Sequence, residues 1–123
     1  MLFISRIVVL VREYGEALAF YEEAFGFSII HDHTGSDGRR FVHIGFEDHD
    51  TGIWLLESDD ERIGDQTGGE PLMTLTTDDL IGLHTHLAKC GVVISSAITR
   101  TPEASFFHCA DLYGNGIVIT QFD

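Results

Sequence analysis

A chain of 123 residues, 44% hydrophobic and 22% charged, is long enough to bury one core without covalent staples and holds no run near the ~18 apolar residues of a membrane span. Its 20 acidic against 7 basic residues give a net charge of −13, a field that repels phosphate backbones and anionic lipid, which excludes nucleic acid and membrane as general partners. Cys90 and Cys109 lie far apart without a CxxC or Cys/His metal spacing, as expected of reduced thiols in a cytoplasmic protein; Arg6 interrupts the apolar start and no small-residue cleavage site follows, so export is not expected.

Ile7-Val8-Val9-Leu10-Val11 is a β-branched run that predicts a strand over about 4–11, ended by Arg12-Glu13-Tyr14-Gly15. From Glu16 the residues Ala17, Leu18, Phe20, Tyr21, Ala24 and Phe25 recur at spacings of three and four, one face of a helix that Gly26 closes. Phe27 to His31, Arg40 to Phe46 and Gly52 to Glu57 read as strands, separated by turns at Ser36-Asp37-Gly38 and Asp48-His49-Asp50. Residues 58–70 are acidic, carry Gly64, Gly68 and Gly69, and offer almost nothing apolar to bury, which predicts a surface linker.

The same order then returns. Leu72 to Thr77 reads as a strand, Asp78-Asp79 opens a helix through Leu80, Leu83, Leu87 and Ala88 to Gly91, and Val92 to Ile98, Ser105 to Ala110 and Gly116 to Phe122 read as three more strands. Glu13 to Gly26 and Asp78 to Gly91 both span 13 positions at an offset of 65, and Gly52-Ile53 recurs as Gly116-Ile117 at an offset of 64. The expectation is an α+β chain of two tandem βαβββ modules forming a single domain over 1–123, with module 1 at about 3–57, a linker at 58–70 and module 2 at about 71–123.

The segment from Val11 to Tyr21, followed by Phe25-Gly26-Phe27, resembles the opening signature of vicinal-oxygen-chelate proteins, the glyoxalase, bleomycin-resistance and extradiol dioxygenase superfamily: V-x-D, then A-x-x-F-Y and L-G-F. Asp111 to Val118 resembles their closing D-P-D-G-N-x-x-E, and Thr77-Asp78-Asp79-Leu80 with Gly91-Val92 resembles the start of their second module. The resemblance covers nearly the whole chain. It implies mixed sheets curled around a groove for a small molecule, often across a homodimer. Activity in such proteins ranges from metal-dependent lyases and dioxygenases to metal-free sequestration of drugs, so fold alone does not choose.

Carried over by spacing, the four metal-ligand positions of the family fall on Arg6, Trp54, Leu72 and Val118, none of which offers a lone pair to a hard cation. No metal and no cofactor is therefore expected. Strand alternation from these positions turns Arg6, Val8, Leu10, Trp54, Leu56, Leu72, Thr74, Thr76, Val118 and Thr120 into the groove, joined by Phe41 and His43 and less firmly by His108. A lining of Trp54 and Phe41 for stacking, Arg6 for an anionic or carbonyl group and threonine hydroxyls suits a flat organic ligand. Trp54 fits equally a core aromatic, and Arg6 a surface residue paired with an acid.

The sequence thus points to a small-molecule-binding, metal-independent protein that sequesters an antibiotic or other planar compound, as a homodimer. The alternative is a lyase or isomerase using a displaced metal or His43 as general base. Of the other histidines, His31 and His33 share a strand face while His84 and His86 do not share a helix face, and a solvated or hydrogen-bonded role is expected for most. There is no G-x-S-x-G elbow and no phosphate loop at Gly68-Gly69.

Overall fold

Alternation along β1 (Arg6–Val11) sends Val9 and Val11 into full burial and leaves Arg6, Val8 and Leu10 on the opposite face. This is the first strand in a computed structural model that describes all 123 residues and resolves into two compact units, Met1–Ile63 and Gly64–Asp123. The first unit continues with α1 (Tyr14–Phe25), β2 (Ser28–Thr34), β3 (Arg40–Gly45) and β4 (Gly52–Glu57). Its sheet runs β1-β4-β3-β2, with β1 parallel to β4 and the remaining pairs antiparallel. Val9, Val11, Val42, Ile44, Ile53 and Leu55 are buried in this sheet, and Tyr14, Ala17, Tyr21 and Ala24 are the buried residues of the helix that packs on β4. Each large side chain among them contributes roughly 1.5–3 kcal/mol by leaving water.

Several boundaries shift by one to three residues from the pattern in the sequence, two of them for a visible reason. Tyr14, expected in the break, is the first helical residue, because the Glu57 carboxylate accepts its backbone N–H at 3.1 Å while the Tyr14 hydroxyl accepts the Glu57 N–H at 3.2 Å. These bonds satisfy a helix donor that would otherwise lack a partner. Strand β2 runs on to Thr34 because Arg40 holds Asp32 bidentately at 2.9 and 2.7 Å across the hairpin, and Phe27 instead turns inward, edge-on to Tyr21. Gly26 ends α1 at φ 74°, as the spacing predicts.

The second unit contains β5 (Pro71–Thr76), α2 (Leu80–Lys89), β6 (Thr99–Arg100), β7 (Ala104–Ala110) and β8 (Gly116–Phe122), ordered β5-β8-β7-β6 with β5 parallel to β8. The βαβββ order thus occurs twice. Its repetition extends to side chains: Gln121 lies 64 positions after Glu57 and likewise accepts the first helical N–H, that of Leu80, at 2.9 Å.

The strand expected over Val92 to Ile98 does not form. The Ser96 hydroxyl accepts the His108 N–H at 2.9 Å, leaving one isolated bridge at Ile94 and a two-residue β6. A side chain competing for ladder donors breaks the register. The acidic linker also holds more than expected, since Ile63 is buried at 6% exposure.

Candidate functional site

The β2–β3 hairpin and its neighbour β4 set a row of rings on the face of the first unit that carries Arg6, Val8 and Leu10. Cross-strand partners share a face, and the register pairs Val8 with Trp54, Trp54 with His43, His43 with His31, and Phe41 with His33. Phe41, His43 and Trp54, singled out from the sequence, therefore lie together, with Phe41 and His43 at 5.9 and 5.3 Å from the Trp54 ring. His31 continues the row at 5.4 Å from His43, and His33 lies 5.8 Å from His31. The sequence pattern predicts for most histidines only a solvated or hydrogen-bonded role, and does not single out these two. The turn at Asp37 held the signal, because a hairpin centred there pairs residues whose numbers sum to 74, such as 31 with 43 and 33 with 41.

Arg6 joins this face at its edge. Its Nε donates to His43 Nδ1 at 3.1 Å, and its Nη1 donates to the carbonyls of Ser5 at 2.6 Å and Asp50 at 2.9 Å. It has no acid partner; Arg40 and Arg62 are the arginines that pair with acids, Asp32 and Asp60. Burial, with the Arg6 guanidinium and His31 beside it, pulls the His43 imidazole below its ordinary pKa. Arg6 also borders a cleft of about 350 Å³, together with Ile29, Ile30, Phe46, His49 and Asp50.

Two nitrogens on the row are shielded from solvent and have no hydrogen-bond partner, His43 Nε2 and Trp54 Nε1. A buried polar atom left unpaired costs about 1–3 kcal/mol. A partner reaches either nitrogen, and recovers that cost, only when the neighbouring groups that shield it move aside.

In the second unit, Thr74, Val118 and His108 occupy adjacent register positions on one face, with Thr76, Thr120 and Phe106 in the next row. The Thr76 and Thr120 hydroxyls bond each other at 3.0 Å, and the Phe106 and His108 rings are 6.0 Å apart. Leu72 falls in the irregularity between Pro71 and Met73, outside the ladder register. The opposite face, with Phe107, Cys109, Ile117 and Ile119, is buried. There burial, then Asp111, pushes the Cys109 thiol up to about 11.

The residues at the four carried-over positions do not fit a metal. Arg6 presents only donors, Trp54 an N–H, Leu72 and Val118 hydrocarbon. No three His, Cys, Asp or Glu side chains are grouped so as to hold an ion. Glu57 does not substitute, being engaged at Tyr14 and set in register beside Val11, whose side chain lies on the buried face.

The model of the Glyoxalase/Bleomycin resistance protein/Dioxygenase superfamily matches residues 3–119. No protein of curated function matches. Among solved structures, TnmS3, an antibiotic binding protein from Streptomyces sp. CB03234, superposes with a TM-score of 0.81 at 24% identity, covering 100% of this chain and 98% of that one. A glyoxalase/bleomycin resistance protein from the same organism gives 0.76 at 25% identity, covering 97% of this chain and 100% of that one. A superfamily member from Sphaerobacter thermophilus DSM 20745 gives 0.79 at 19% identity, with 98% of each chain covered.

Proposed function

The chain belongs to the Glyoxalase/Bleomycin resistance protein/Dioxygenase superfamily, and from that premise we propose that it is a metal-independent binding protein that sequesters a planar organic molecule such as an antibiotic. The observation that carries this reading is the row Phe41, Trp54, His43 and His31, flat rings flanked by the Arg6 cation and holding two buried, unpartnered nitrogens. Such a row offers ring faces for stacking and nitrogens that bond in the planes of their rings, so that one ring can stack on a flat ligand while a neighbouring tilted ring meets its polar edge. Binding of antibiotic by the structural neighbour TnmS3 supports the ligand class. Side chains without donor atoms at Leu72 and Val118 support independence from metal.

In this reading the protein works in the cytoplasm, where Cys90 and Cys109 remain free thiols, and as a homodimer. The edge strand β2, exposed at all seven positions, and the exposed apolar residues Met1 to Ile4 are what a second copy would cover. Titration with bleomycin and a panel of planar aromatic compounds, followed by the fluorescence of Trp54, the sole tryptophan, tests the function. Saturable quenching that persists after dialysis against EDTA is expected. No response to any compound, or a response only with added metal, contradicts the reading.

A further inference from the structure

We propose that Arg6, by donating from Nε to Nδ1 of His43, fixes His43 as its Nε2–H tautomer, so that this face selects ligands presenting an acceptor oxygen over isosteres presenting an N–H donor. The inference rests on the binding function above and names what the site recognises.

A guanidinium has five donors, no acceptor, and does not deprotonate in proteins. The 3.1 Å contact is therefore a hydrogen bond only if His43 Nδ1 presents its lone pair. Arg6 is not free to swing away, because Nη1 is tied to two backbone carbonyls, those of Ser5 and Asp50. A neutral imidazole has one N–H, so with Nδ1 accepting, the proton is on Nε2. Protonating Nδ1 would set an N–H against an N–H of a cation, with His31 adjacent on β2 and Trp54 on β4 offering no negative charge in compensation. The two orphaned nitrogens are then of one kind. His43 Nε2–H and Trp54 Nε1–H are both donors, on rings 5.3 Å apart.

A carbonyl or phenolate oxygen admitted to them as the groups that shield both nitrogens move aside relieves the unpaired donors. A ligand N–H at the same place meets donors and adds a third unpaired group. Sites built on buried hydrogen-bonding groups discriminate strongly against the mismatched isostere, here by about tenfold or more. Arg6 is on this account a positioning residue that sets specificity through His43. With its Nδ1 lone pair engaged and Nε2 protonated, His43 serves recognition and has no free lone pair for a general base.

Fluorenone and carbazole share a flat tricyclic frame and differ in presenting a C=O or an N–H, so they probe this directly. Long-range 1H–15N spectra of the ligand-free protein read the tautomer independently. The wild-type protein is expected to show one unprotonated Nδ1 and one protonated Nε2 for His43, and to bind fluorenone about tenfold tighter than carbazole in equilibrium dialysis. In Arg6→Met the two ring nitrogens should move toward averaged shifts and the binding ratio should fall to about threefold, as Nε2 becomes able to accept. Arg6→Lys, which keeps a donor, should restore both readouts. The same spectra report whether each variant is folded. Averaged or Nδ1–H shifts in the wild type overturn the tautomer assignment, and a ratio unchanged in a folded Arg6→Met protein overturns the specificity role. Absence of binding by either compound together with the expected tautomer contradicts the specificity claim and counts against the binding function itself, while leaving the role of Arg6 at His43 established.

Discussion

His31 lies directly across the β2–β3 hairpin from His43, their rings 5.4 Å apart, while Arg6 contacts His43 from β1. His43 is thus a partly buried imidazole with a guanidinium and a second imidazole as neighbours, and burial, Arg6 and His31 all oppose its protonation. Its folded-state pKa lies below the unfolded value of 6.5, so the unfolded chain binds the extra proton between the two values. Stability contributed by this group is present above about pH 6.5 and is lost as pH falls toward the folded pKa. Urea denaturation from pH 7 to 5 (about the range in which imidazole titrates) should show stability falling with acid, and His43→Gln should flatten part of that slope. An unchanged slope in the variant would place the pH dependence elsewhere.

The paired anchors Glu57 and Gln121 make a second test, because each takes the first N–H of its own unit's helix. Glu57→Ala and Gln121→Ala should each cost about 1 kcal/mol, the usual worth of a helix N-terminal partner. Glu57→Gln, which keeps an acceptor, should recover most of the loss. A loss at one site and none at the other would mean that the repetition is geometric without being energetic.

Gly64 and Gly68 both have positive φ, at 82° and 68°, but differ in surroundings. A Cβ at Gly64 would run into the carbonyl of Tyr113, whereas one at Gly68 meets nothing. Both alanine variants lose about 1 kcal/mol or more to backbone strain, and Gly64→Ala should lose at least ~1 kcal/mol beyond that by displacing Tyr113. Equal denaturation midpoints for the two variants would contradict this assignment.

Much of the fold was legible because period and punctuation agree: Gly26 and Gly91 end helices, and alternation in β1 and β4 divides Val9 and Leu55 from Val8 and Trp54. The break in the strand expected over Val92 to Ile98 was not legible, since one hydroxyl, Ser96, takes a ladder donor within a β-branched run. The burial of Ile63 has no signature in the sequence, because a single apolar residue in an acidic stretch carries no period. At the site, alternation accounts for the shared face of Phe41, His43 and Trp54, and hairpin arithmetic would have added His31 and His33. The unpaired state of His43 Nε2 and Trp54 Nε1 depends on what surrounds those atoms in space, which no local pattern encodes.

The central claim is that a flat ligand seats on the row of rings and takes up its buried nitrogens. The most direct measurement follows the Trp54 indole N–H and the His43 ring resonances of 15N-labelled protein while a planar compound found to quench Trp54 is titrated to saturation. Binding on this face predicts that both signals shift together along one saturation curve, with the Trp54 N–H moving as a newly hydrogen-bonded donor does. Saturable binding that leaves both signals in place would contradict it.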